Sequence, residues 1–98
     1  MRKVIISKRA TYELEDLFDF LDYKWSVSIR KKVAQKLNNH IEKIRLDPEL
    51  FPKSNIRSTR KCVISKQITL YYDFDDKNLN ILRVLDTRQD PNKIKKIE

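Results

Sequence analysis

No glycine occurs anywhere in the 98 residues of this chain, where about 7% would be usual. Glycine takes positive φ without steric penalty and lets the backbone approach a ligand closely. Its absence removes the phosphate-cradling P-loop, the dinucleotide-binding fingerprint and the strained nucleophile elbow, all of which need it. Tight turns must instead be built from Asn, Asp and Ser, which tolerate left-handed conformations better than other residues.

The length allows one hydrophobic core, so residues 1–98 are read as a single domain. Apolar residues make up 40% of the chain, enough for that core, and charged residues 37%. Lys plus Arg number 22 against 14 Asp plus Glu, a net charge of +8. Such an excess on so small a body points to a polyanion or an acidic protein as partner. Apolar runs are short, as in Val4-Ile5-Ile6, which argues against a transmembrane helix, a membrane role and a signal peptide behind Arg2 and Lys3. The single cysteine, Cys62, has no internal disulfide partner, which fits a reducing cytoplasm. With no cluster of His and Cys, neither a metal nor a small-molecule cofactor is expected.

Residues 3–7 read as a short strand, and Ser7 can cap the helix that follows. Ala10, Leu14, Leu17, Phe18, Leu21 and Trp25 then form one helical stripe. The remaining face of that helix is acidic, with Glu13, Glu15, Asp16, Asp19 and Asp22. A second helix starts from Ser26 or Ser28, with the stripe Ile29, Val33, Leu37, Ile41 and Ile44 and a basic outer face. Asp47-Pro48 ends it, because proline disfavours helix in the residue before it, and residues 47–55 form a loop. Two helices joined so closely should form an antiparallel hairpin.

Three strands complete the pattern, at 56–64, 67–74 and 79–86. The middle one alternates, with Ile68, Leu70, Tyr72 and Phe74 on one side and Gln67, Thr69, Tyr71 and Asp73 on the other. Ser65-Lys66 and residues 75–78 supply the turns, and Pro91 opens a short helical tail. The fold class is α+β: β-α-α-β-β-β with a short C-terminal helix, an antiparallel sheet carrying a helical hairpin on one face.

That arrangement leaves the second sheet face partly open and basic. Lys53, Arg57, Arg60, Lys61 and Lys66 occur with no acid between them, Arg83 lies within the last strand, and Arg88 follows it. Arg forks hold phosphate oxygens and aromatic rings stack on bases, so this face suits a phosphodiester backbone, with Tyr71 as its aromatic. Each residue also has a plainer reading. Arg83 could pair with Asp73 or Asp86 within the fold. Arg60 and Lys66 could be solvated strand and turn charges. Tyr72 shares the core parity, Cys62 reads as a small buried hydrophobe, and His40 as boundary filler on the basic helix.

The element order, the loop Asp47-Pro48-Glu49-Leu50-Phe51-Pro52, the spacing Arg60-x5-Lys66-x5-Tyr72 and the segment Asn80-Ile81-Leu82-Arg83-Val84-Leu85-Asp86-Thr87-Arg88-Gln89-Asp90-Pro91-Asn92-Lys93 resemble the RelE/ParE superfamily of bacterial type II toxins. The resemblance covers essentially the whole chain. It implies a small cytoplasmic toxin neutralised by a cognate antitoxin that wraps an amphipathic segment over the basic surface.

The resemblance implies either of two activities. RelE-like members cut messenger RNA on the ribosome without metal, using Arg and Lys together with a Tyr or His near the end of the last strand. That chemistry deprotonates the ribose 2′-OH, stabilises the phosphorane and protonates the leaving oxygen. On this reading Arg60, Lys66, Arg83 and Arg88 are the catalytic candidates, and Arg57, Lys61, Tyr71 and Arg88 contact nucleic acid, target or antitoxin. ParE-like members instead poison DNA gyrase without hydrolysis. No Tyr or His follows Arg88, and Ile64 stands where one catalytic Arg would align, which motivates this alternative. A third reading is a basic module without toxicity that binds only its antitoxin or nucleic acid.

Overall fold

Ser7 is where the first strand becomes a helix. Its Oγ accepts from the Ala10 N–H at 2.9 Å, filling the N-cap position, and donates to the Leu82 carbonyl at 2.9 Å. One hydroxyl thus starts the helix and fastens that start to the last strand. In the computed structural model, which describes residues 1–55 and 58–87, the elements are β1 (Lys3–Ile6), α1 (Lys8–Lys24), α2 (Val27–Leu46), β2 (Arg60–Val63), β3 (Ile68–Phe74) and β4 (Asn78–Asp86). β2 is shorter than the strand expected over 56–64, with Ser58 and Thr59 preceding it as turn and loop and Ile64 following it; residues 56 and 57 and the helical tail expected after Pro91 lie outside the described residues.

Ser26, the earlier of the two candidate starts, caps α2 by accepting from the Ile29 N–H at 3.1 Å. The hairpin is clipped near its turn by Arg30 and Asp22 at 2.7 Å, an exposed pair that contributes little by itself. Lys24 in the last turn of α1, and Lys43 and Arg45 in that of α2, complement the helix dipoles.

The sheet order is β1-β4-β3-β2. The meander β2–β3–β4 is antiparallel, as expected, and β1 adds to β4 in parallel, so the sheet is mixed. The helical hairpin forms the crossover that a parallel connection requires. Ala10, Leu17 and Leu21 from α1 and Leu37 and Ile44 from α2 bury against Cys62, Ile64, Ile68, Leu70, Tyr72, Leu79, Ile81 and Val84. The alternation of β3 is therefore realised for Ile68, Leu70 and Tyr72.

β4 does not keep strict alternation. Tyr71 pairs with Arg83 but Tyr72 pairs with Ile81, so Leu82 is an extra residue in a β-bulge. Without the bulge, the parity of Leu79 and Ile81 would send Arg83 into the core. With it, Val84 takes the core position instead.

The glycine-free turns use side chains as acceptors. Asp75 Oδ1 accepts from the Lys77 and Asn78 N–H groups at 2.8 Å each. This holds the exposed Asp75 carboxyl below the usual carboxylate range. Ser65 Oγ does the same work for the Gln67 and Ile68 N–H groups at 3.3 and 3.2 Å. Among the described residues, Ser58 has positive φ, at 50°.

The expectation of an open second sheet face fails at its middle. Tyr71 is 1% exposed and Leu85 2%. Tyr71 lies opposite in parity to the core residues Leu70 and Tyr72, and Leu85 pairs with Thr69, so both lie on the face away from the helices. Large apolar groups left uncovered there would be unfavourable.

Candidate functional site

β2 enters the sheet beside the loop that follows α2, and this junction brings Arg60, Lys53 and Arg2 together around Phe74. Arg60 opens β2, and its Nη1 donates to the Phe51 carbonyl at 2.7 Å. The guanidinium also lies 5.8 Å from the centroid of the Phe74 ring. Arg2 approaches the same ring at 5.3 Å while its Nε donates to the Asp75 carbonyl at 2.7 Å. Two guanidinium groups near one aromatic ring are stabilised by the ring quadrupole, and among the described residues neither has a carboxylate partner. Lys53, Ser58, Arg60 and Phe74 line a hollow of about 410 Å³. It is cationic, has an aromatic wall, and is within the size range of small-ligand sites.

The loop beneath it is fastened from the core. The Tyr72 Oη donates to the Pro48 carbonyl at 2.6 Å. Burial pushes the Tyr72 phenol up to about 12, with the nearby Arg60 charge acting in the opposite direction. Tyr72 therefore stays a neutral donor. Burial likewise raises the Cys62 thiol to about 11, opposed by Lys43. That keeps it an unreactive thiol.

Arg83 is in a different situation. Its Nε and Nη2 bind the Glu13 carboxylate of α1 at distances of 2.7–3.1 Å. The same carboxylate accepts from the Val84 N–H at 3.0 Å. β1 stops at Ile6, so β4 loses its neighbour beyond Ile81. Glu13 takes over that bare edge and neutralises the arginine of the bulge together. The partner is Glu13 rather than Asp73 or Asp86, the carboxylates expected to compete for it. Helical geometry conceals this: Glu13 sits between Ala10 and Leu17, on the border of the buried stripe, and reaches a strand 70 residues away.

The remaining candidates do not gather around Arg60. Lys66 lies in the β2–β3 turn, at the far end of the hairpin. Lys61, Tyr71 and Arg83 fall in one row across β2, β3 and β4, but Tyr71 is buried rather than displayed as a stacking platform. Arg57 and Arg88 lie outside the described residues. Arg2, Ser58 and Phe74 are additions to the sequence reading, in which Lys53 stands only as one base of the basic segment. Phe74 counts as core by parity, and Arg2 is brought close only because β1 joins the sheet in parallel. Among the described residues, no three His, Cys, Asp or Glu side chains form a metal-binding group, and no helix is long and apolar enough to cross a membrane.

Comparison with known proteins bears on this arrangement. No curated protein matches the chain. Among solved structures, the chromosomal ParDE TA system of P. aeruginosa superposes with a TM-score of 0.76 at 13% identity, covering 88% of this chain and 96% of that one. The YoeB dimer of Staphylococcus aureus gives 0.62 at 19% identity over 86% and 94%. The E. coli DinJ–YafQ complex gives 0.56 at 14% identity over 91% and 97%. These likenesses establish a shared fold, two helices on a four-stranded mixed sheet. The family profile described as "ParE toxin of type II toxin-antitoxin system, parDE" matches residues 4–91. The chain belongs to the ParE toxin family of type II toxin–antitoxin systems.

Proposed function

We propose that this chain arrests growth by binding its target rather than by cleaving it, with DNA gyrase as that target and a cognate antitoxin as its neutralising partner. The observation that carries this reading is the dispersal of the catalytic candidates among the described residues, Arg60, Lys66 and Arg83. Arg60 and Lys66 stand at opposite ends of β2 and its turn, separated by strand rises of about 3.3 Å per residue. Arg83 is held by Glu13. Proton transfer at a ribose 2′-OH needs acid and base groups within hydrogen-bond reach of one reacting centre. Tyr72, the aromatic hydroxyl nearest Arg60 in register, is buried and already donates to Pro48.

The hollow formed by Lys53, Ser58, Arg60 and Phe74 favours a second reading, metal-independent cleavage of messenger RNA on the ribosome, because cations beside a ring suit a nucleotide. One experiment separates the two. The chain is induced in bacteria while transcript ends are mapped, and the purified protein is assayed for gyrase supercoiling and trapped double-strand breaks. Growth arrest with intact transcripts and inhibited supercoiling is the expected result. New transcript ends with unaffected gyrase would replace binding by cleavage. Unchanged growth together with no effect in either assay would leave only the non-toxic binding module.

A further inference from the structure

A second cavity lies on the other side of the hairpin from Arg60. Ile29, Val33, Ile64 and Ile68 form its apolar walls, and Lys32, Lys36, Ser65 and Gln67 its remaining lining, enclosing about 230 Å³. That is below the roughly 300–1,000 Å³ of small-molecule pockets but sufficient for one large apolar side chain. Lys66 sits in the turn between Ser65 and Gln67. Among the described residues, Lys32, Lys36 and Lys66 are exposed and have no ion-pair partner. The sole acid of α2, Glu42, is occupied by Arg45 at 2.6 Å.

The cavity opens beside an outer sheet edge that Pro52 and Lys53 pair only as far as Lys61. β2 is the outermost strand. The Lys61 N–H points away from β3 and is taken by the Pro52 carbonyl at 3.0 Å. Val63 shares the parity of Lys61, so its N–H and C=O also point outward, and its side chain is 56% exposed. An exposed edge rung of this kind is a template for an added strand.

We infer that this cavity and the Val63 edge receive an extended segment of the antitoxin, with one large apolar side chain anchored between α2 and the β2–β3 turn and carboxylates on either side of it facing Lys32, Lys36 and Lys66. The inference rests on the toxin–antitoxin reading above and moves Lys66 from chemistry to partner capture. The commitment to an acidic segment comes from charge: the apolar walls supply an anchor pocket, and the lysines around it repel a basic segment and attract carboxylates.

The test titrates the purified chain with the protein encoded by the reading frame beside its gene, using calorimetry and amide hydrogen exchange. The triple variant K32E/K36E/K66E should weaken binding at least tenfold and flatten its salt dependence. The control K3E/K77E, at the opposite edge of the sheet, should change it less than threefold. Exchange protection should appear at residues 29–36 and 63–68. Equal effects of the two variants, or protection confined to other segments, overturns the docking site while the toxin–antitoxin reading stands. Failure of the unsubstituted chain to bind that protein overturns the reading and the docking site together.

Discussion

Arg60 and Arg83 are both strand arginines, yet the fold treats them oppositely. Arg83 meets a carboxylate in a fork-to-fork arrangement that also closes the bare edge of β4. Arg60 meets a backbone carbonyl and a ring, which orient it without cancelling its charge. The first is therefore part of the framework, and the second keeps its electrostatic reach for a ligand. Charge on a strand is not itself a sign of function. What decides is whether the chain supplies its own counterion.

The contrast can be broken most forcefully at Glu13. Removing one partner of a fully buried ion pair costs about 3–5 kcal/mol. The Arg83–Glu13 pair retains some solvent contact, so Glu13→Ala should cost about 2–3 kcal/mol in urea unfolding. Replacing both residues by Met should recover most of that loss. If the double variant is as unstable as Glu13→Ala, the pair is not what orders the bulge.

Tyr72→Phe tests the fastening beneath Arg60, leaving the buried Pro48 carbonyl without its donor. A loss of about 1–2 kcal/mol is expected. The folded phenol titrates above its ordinary value near 10, at about 12. Its stabilisation is therefore complete below pH 10 and disappears as pH rises toward 12. The variant should lack that portion of the alkaline decline, measured as melting temperature against pH.

Arg60→Met should change stability least, by under about 1 kcal/mol, because its acceptor and ring partner are partly solvated. It should nevertheless abolish growth arrest on induction. A stable, fully toxic Arg60→Met variant would show that the uncompensated arginine is not a target contact.

Much of this fold is written locally. The stripes of α1 and α2, the stop at Asp47-Pro48 and the alternation at Ile68, Leu70 and Tyr72 all depend on neighbours within a few positions. Side-chain periodicity reports burial directly in such segments. The turns were legible for the same reason, since a chain without glycine must close them with residues such as Asp75 and Ser65.

The site was less legible. Parity puts Tyr71 on the side of β3 away from the helices, but its burial has no local signature, because whether a face is covered depends on distant segments. The bulge at Leu82 was also hidden, since alternation through Leu79 and Ile81 gives no warning of an inserted residue. By itself, then, the sequence determined the order and kind of elements, their core-facing residues, the cationic excess and the family resemblance. Only the tertiary structure decided which cations are neutralised from within and which are left to meet a partner. Those pairings join residues as far apart as Glu13 and Arg83, and no local periodicity encodes a contact made across the whole chain.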